Sequence, residues 1–256
     1  MLLALDVGNT NVTVGAFRGN ELLRRWRLAT VRHRTVDEIG ILLHQLLQWD
    51  GIRERDIRGV VIGSVVPPLD GALREAVSTY LRAEPLFIGP GIRSGMPLKV
   101  DTPLELGADR LCNAVAAYDE HGGPCVVVDF GTATTWDVVS AKGEFIGGVI
   151  APGLEISAEA LFSRAAKLPR IELAAPEHVI GKGTVDSMQA GLVLGYAGLV
   201  EGLTRRVLEE LGGGKVIATG GLAHVMARHA AVFDSVDDDL TLKGLRLLWE
   251  RNRRTR

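Results

Sequence analysis

Two Asp-x-Gly triplets, Asp6-Val7-Gly8 and Asp129-Phe130-Gly131, carry the first sign of chemistry in this chain. Each closes an apolar run, Leu2 to Leu5 in one case and Cys125 to Val128 in the other. Each is followed by small hydroxyl or amide residues (Asn9, Thr10 and Asn11; Thr132, Thr134 and Thr135) before a second apolar run begins. A carboxylate at a strand end can hold a hydrated cation. The glycine bares backbone N–H groups, which hold phosphate oxygens together with Thr and Asn side chains. Asp and Gly are ordinary turn residues, so one triplet alone reads as a hairpin. Two in matching strand contexts, one in each half of the chain, read as a duplicated phosphate clamp.

A third carboxylate stands out in the loop Lys99 to Arg110. Pro103 and Gly107 bound an irregular segment, and Leu111, Cys112, Val115 and Tyr118 start a helix directly after it. Asp109 therefore falls near a helix N-terminus, with Arg110 beside it. The plain reading is a charge placed to complement the helix dipole.

Alternating elements position these groups. After the first clamp, Arg18-Gly19-Asn20 turns the chain into a third antiparallel strand, Glu21 to Leu28. Thr35 and Glu38 form a capping box, and Ile39, Leu42, Leu43, Leu46 and Leu47 recur at helical spacing behind it. Gly59 to Ser64 reads as a buried strand, Pro67-Pro68 as a break, and Leu73, Ala76, Val77, Tyr80 and Leu81 as the stripe of the next helix. Leu86 to Ile88 is a short strand. The second half repeats the plan: a strand at Glu144 to Ile150, a turn at Ala151-Pro152-Gly153, and a helix over Glu155 to Arg164. A loop then runs from Pro169 to Gly183. Its Gly181-Lys182-Gly183-Thr184 is not a P-loop, because Gly follows the Lys and no Gly stands five residues before Gly181. A long helix carries Leu192, Tyr196, Leu199, Leu203 and Val207. Its Gly191, Gly195, Gly198 and Gly202 predict close packing against a neighbour. The strand Val216 to Gly221 ends in a glycine pair able to admit a flat base or ribose, and Arg251 to Arg256 reads as a solvated tail.

Composition narrows the classes. At 256 residues the chain can bury a large core and is long enough for two domains. A net charge of −2 gives no electrostatic case for binding nucleic acid or an anionic membrane. Glu201 and the short uncharged run exclude the glycine-bearing helix as a membrane span. Cys112 and Cys125 read as core thiols, and the scattered histidines argue against a zinc site. The chain opens directly on a core strand, which leaves no room for a signal peptide and points to the cytoplasm.

Taken in order, Asp6-Val7-Gly8-Asn9-Thr10, Gly107-Ala108-Asp109-Arg110, Asp129-Phe130-Gly131-Thr132-Ala133-Thr134-Thr135 and Gly220-Gly221 resemble the successive motifs of type III pantothenate kinases. That family belongs to the acetate and sugar kinase, chaperone ATPase and actin superfamily. The resemblance runs from Met1 to about Leu248. It implies an α/β fold of duplicated ribonuclease H-like (actin-like ATPase) domains with mixed sheets and an active site in the cleft between them, divided here as 1–118 and 119–256. The implied activity is ATP-dependent phosphorylation of pantothenate to 4′-phosphopantothenate, the first step of coenzyme A biosynthesis. By the same resemblance, Asp6, Val7, Gly8, Asn9, Thr10, Asn11, Val12 and Thr13 hold the ATP phosphates, with Asp6 near Mg2+ and Thr132 assisting. Asp129 helps hold a monovalent cation, K+ or NH4+. Gly107, Ala108, Asp109 and Arg110 line the pantothenate pocket with Asp109 as catalytic base, and Thr184 touches pantothenate across a homodimer interface. Many members carry a Tyr where this chain has Val100. Arg110 suits either an anionic or polar part of the substrate or a structural salt bridge. Two rival functions are another small-molecule kinase of the superfamily and a non-catalytic nucleotide-binding regulator. A DNA-binding regulator should show a basic patch or helix-turn-helix, and neither is evident.

Overall fold

A computed structural model describes residues 1–165 and 167–253. The chain divides into two compact units: Met1–Pro97 with Asp101–Ala116 and Leu240–Arg256, and Leu98–Val100 with Ala117–Asp239. The sequence division instead keeps 119–256 together.

In the first unit, β1 (Leu2–Val7), β2 (Asn11–Arg18), β3 (Glu21–Ala29), β4 (Gly59–Ser64) and β5 (Pro85–Ile88) form one sheet in the order β3-β2-β1-β4-β5. Strand β1 is central, antiparallel to β2 and parallel to β4, and is buried on both faces. That is why it reads as a continuous apolar run rather than an alternating one. Leu3, Leu5 and Val7 share a core with Ile39, Leu43 and Leu47 of α1 (Val36–Trp49) and with Leu69, Leu73 and Val77 of α2 (Pro67–Tyr80). Each fully buried Leu contributes roughly 1.5–3 kcal/mol. Helix α1 begins at the predicted capping box, with Thr35 N–H donating to Glu38 Oε2 at 2.7 Å and Glu38 N–H to Thr35 Oγ1 at 3.3 Å. Pro67 and Pro68 do not precede α2 but lie in its first turn, where a missing N–H costs nothing.

The terminal helix α8 (Leu240–Asn252) packs along β1 and β4. Close approach is built into the glycines: a Cβ on Gly15 would lie 2.9 Å from Leu242, and one on Gly59 would strike the Trp249 ring. Gly244 in turn faces the Cys112 backbone on α3 (Ala108–His121). This packing explains why Leu240–Arg256 group with the first unit. It also corrects the tail reading for the residues that can be described. Arg251 and Asn252 continue the helix; Arg251 donates to the Ser94 carbonyl, and Asn252 bonds both the N–H and the C=O of Arg93 at 3.0 Å. Residues 254–256 of that tail lie outside the described residues.

The second unit repeats the strand plan. β6 (Cys125–Phe130), β7 (Ala133–Val139), β8 (Phe145–Pro152), β9 (Lys215–Gly220) and β10 (Ser235–Val236) run in the order β10-β9-β6-β7-β8. Again the central strand is antiparallel to the next and parallel to the fourth. After α4 (Leu154–Arg164), α5 (Thr184–Gln189) passes through a π turn at Ala190–Leu194 into α6 (Gly195–Leu211). Tyr196, Ala197 and Val200 of α6 share a core with Val126, Val128 and Trp136, and the Trp136 indole N–H donates to Thr204 Oγ1 at 2.9 Å. The glycines of this helix were expected to pack closely. Among the described residues they do not: beyond the helix's own backbone, nothing lies within 4 Å of a Cβ built on Gly191, Gly195, Gly198 or Gly202. A short helix, α7 (Ala223–Met226), follows β9. No helix among the described residues is long and apolar enough to cross a membrane.

Candidate active site

The first hairpin builds its turn from backbone. Asp6 is half-buried at the end of β1, while Val7 and Val12 point into the core, so these two can offer a ligand only their main chain. Gly8 N–H donates to the Asn11 carbonyl at 2.9 Å, and a Cβ at Gly8 would press on that oxygen at 3.1 Å. The Gly8 carbonyl accepts from Thr30 Oγ1 at 2.6 Å, and the Thr10 carbonyl from Thr30 N–H at 3.0 Å. Tying these carbonyls to the end of β3 fixes the turn with Asn9 and Thr10 exposed at its tip. Arg32 reaches Asn9 Oδ1 at 3.2 Å and adds positive charge there. Asn11 and Thr13 are half-buried on β2, with Thr13 paired across from Asp6.

Asp109 is the second residue of α3, and its Oδ1 accepts the Arg110 N–H at 2.8 Å. Burial pushes its carboxyl above the usual carboxylate range, against the opposing pull of that N–H and of the Arg110 charge. The buried Cys112 thiol is pushed well up, first by burial and then by the negative charges of Asp6 and Asp109. Gly63 pairs with Asp6 across β1 and β4, and a Cβ built on Gly63 would lie 3.6 Å from Ala108, so the residue before Asp109 stands beside the end of β1. Gly107 makes room for this arrangement, because a Cβ there would collide with Asp109 Oδ1 and lie 3.7 Å from Val65. Ala108 is buried and Arg110 half-buried.

The second hairpin is framed differently. Asp129 is half-buried, and Gly220 lies against it with φ +91°; a Cβ on Gly220 would come within 2.5 Å of Asp129 Oδ1 and 2.6 Å of the Phe130 nitrogen. The space at Gly220 is thus filled by the aspartate and the neighbouring strand rather than left for a base; Gly221 is the exposed member of the pair. Thr132 is exposed at the turn, its carbonyl accepting Gly153 N–H at 3.1 Å. Gly153 has no room for a side chain against the Thr132 and Gly131 carbonyls. Behind the turn, the Tyr196 hydroxyl bonds Thr134 Oγ1 at 2.7 Å and the Pro152 carbonyl at 2.8 Å. Sequence reasoning placed Gly153 in a turn and Tyr196 on an apolar stripe, and missed that both frame this hairpin. A buried phenol needs a partner for its hydroxyl, which was the available signal.

Thr184 opens α5 in an exposed position and lines an open cavity of about 680 Å3 with Leu161, Leu168, Met188 and Gly191. Asp129 and Thr132 do not line that cavity. Val100 is half-buried in a segment that Lys99 N–H ties to the Phe145 carbonyl at 2.8 Å.

Among the described residues no three His, Cys, Asp or Glu side chains gather as a metal cage. That suits a nucleotide-borne cation. Mg2+ keeps several waters and takes one or two carboxylates plus substrate phosphates. Asp6, half-buried at the end of β1 with Asn9 and Thr10 exposed just beyond it, is a carboxylate of the kind such an ion takes.

A repeated five-stranded plan with an Asp-x-Gly hairpin on each central strand defines the class as an actin-like ATPase and sugar-kinase fold. Solved structures with this fold include the activator of 2-hydroxyisocaproyl-CoA dehydratase from Clostridium difficile with bound ADPNP (TM-score 0.56, 16% identity, 98% of this chain and 95% of that one). Another is a Campylobacter jejuni protein described as a Baf family transcriptional activator (TM-score 0.60, 20% identity, 98% of each chain). At these identities the likeness shows the fold alone. The type III pantothenate kinase family model matches residues 2–206. Type III pantothenate kinases from Myxococcus xanthus and Koribacter versatilis are 54% and 51% identical to the chain, over 98% of it and 99% and 96% of the relatives. The chain belongs to the type III pantothenate kinase family.

Proposed function

We infer that this chain is an ATP-dependent kinase that phosphorylates the primary hydroxyl of pantothenate, yielding 4′-phosphopantothenate and ADP at the first step of coenzyme A biosynthesis. The observation that carries the reading is the set of family motifs, intact in a chain more than half identical to a type III pantothenate kinase over nearly its whole length. Phosphoryl transfer requires alignment of nucleophile and phosphate, neutralisation of developing charge, and acceptance of one proton. The residues divide these tasks. Asp6, Val7, Gly8, Asn9, Thr10, Asn11, Val12 and Thr13 hold the ATP phosphates by backbone and side-chain donors, and Thr132 adds a hydroxyl from the second hairpin. Mg2+, when bound, would supply charge neutralisation, and Asp6 would be the carboxylate that holds it. Gly107 to Arg110 hold pantothenate, and Asp109 takes the proton of its hydroxyl as the new P–O bond forms. Its raised proton affinity suits a general base better than an ordinary carboxylate would.

Two finer assignments complete the reading. Asp129 helps hold K+ or NH4+. The chain works as a homodimer in which Thr184 reaches the partner's pantothenate pocket. Support for the dimer comes from the open glycine face of α5–α6 and from exposed Ile180, Val185 and Leu199 around it. Neither nucleic acid nor a membrane has a part in this reading, and a soluble cytoplasmic setting suits it. A coupled assay of ADP release with pantothenate, ATP, Mg2+ and K+ tests it directly.

A further inference from the structure

Helix α6 is fastened to strand β7 by two side-chain hydrogen bonds of different character. The Thr204–Trp136 bond lies toward the middle of β7. The Tyr196 bonds lie at its start, next to the hairpin turn. A phenol carries one proton and a carbonyl can only accept, so Tyr196 donates to Pro152 and accepts from Thr134. All three groups are thereby satisfied in a site where Thr134 and Tyr196 are buried. The bridge joins Thr134, on the β7 arm of the turn, to Pro152 at the end of the neighbouring β8. Thr134 pairs with Phe130 across the hairpin, whereas Pro152 precedes Gly153, whose N–H holds the Thr132 carbonyl. Because Gly153 sits against the Gly131 and Thr132 carbonyls with no spare room, a shift of Pro152 is passed directly to those two residues.

We propose that Tyr196 is a positioning residue for nucleotide binding: its hydroxyl clamps Thr134 to Pro152 and so holds Gly131 and Thr132 in place to receive ATP phosphate oxygens. The inference rests on the reading of the second hairpin as a phosphate site. Tyr196 itself does not touch the nucleotide. Its loss is felt through Thr132 and Gly153, and pantothenate, held by Gly107–Arg110, is not affected.

The test uses the full chain. Tyr196→Phe keeps the ring and removes the bridge. It is expected to raise the KM for ATP about tenfold, the loss of one buried hydrogen bond, with the KM for pantothenate unchanged. Calorimetric affinity for ADPNP should fall in parallel. Thr134→Val should give the same split, Thr134→Ser should restore it, and the double variant Tyr196→Phe/Thr134→Val should be no worse than either single change. Thr204→Val cuts the other helix–strand bond and serves as the measure of plain destabilisation. ATP and pantothenate KM values moving together, or Thr204→Val matching Tyr196→Phe, would overturn the proposal. Unchanged ADPNP affinity in Tyr196→Phe beside a wild type that binds it sinks the role of Tyr196 alone. A wild type that binds no ADPNP removes the phosphate reading as well.

Discussion

Asp109 combines two properties that pull against each other, burial and a need to ionise. Between the unfolded pKa of 3.8 and its raised folded value, the native state keeps a proton that the unfolded chain has lost. Stability contributed by this group therefore falls as pH rises through that window, and above it the cost of the buried charge is fully present. Asp109→Asn is expected to raise the melting temperature at pH 7 and to close the gap with wild type as pH drops below the window. A lower melting temperature at pH 7 would contradict the burial argument. At this scale the sequence was most legible where a residue type is its own evidence: a carboxylate at a strand end or a helix start. Tyr196, Gly153 and Val65 were not legible, because their roles depend on which strand ends and turns come together in space. Gly220 was legible as a glycine requirement, but what fills its Cβ position was not. Parallel pairing of β9 with β6 puts Asp129, rather than a base, against it.

Among the elements, the α5–π–α6 segment holds the largest departure from expectation. Its apolar spacing correctly marked Tyr196 as core but also marked Leu199, which is exposed, and passed over the fully buried Val200; its glycines face open space among the described residues. Sequence periodicity shows that a face is small; it does not say whether the same chain or another covers it. The π turn was invisible to a 3.6-residue reading, since it alters phase at Ala190–Leu194 without a marker residue. If a second copy covers this face, sedimentation should give a dimer. Mixing a Thr184 variant with an Asp109 variant, each inactive alone, should then regenerate sites that hold one intact copy of each residue. A fully active monomer would contradict the assignment of Thr184. Strands and the capped α1 were legible because local chemistry decides them; α8 was not assigned to the first unit because its partners, Gly15, Gly59 and Gly63, lie some two hundred residues away in sequence, about the largest separation this chain offers.

At the level of the whole molecule, duplication makes the two Asp-x-Gly hairpins comparable, and their surroundings differ. Asp6 lies across from Gly63, which abuts Ala108 next to Asp109, whereas Gly220 and the Phe130 backbone crowd Asp129. The proposal that Asp129 helps hold a monovalent ion belongs to this second setting. Turnover should fall sharply when K+ and NH4+ are replaced by Na+ or Li+, and Asp129→Ala should be impaired at any K+ level. Equal turnover in Na+ alone would remove that ion from the account. The central claim is narrower: this chain transfers phosphoryl from ATP to pantothenate with Asp109 as base. Its most direct test is ADP release by wild type and Asp109→Asn with pantothenate, ATP, Mg2+ and K+, with ATP affinity measured separately. The expected result is pantothenate-dependent turnover in wild type and a kcat lower by roughly 10²–10⁴-fold in Asp109→Asn at near-normal ATP affinity. Turnover of Asp109→Asn near the wild-type rate, or ADP release by wild type that ignores pantothenate, would contradict it.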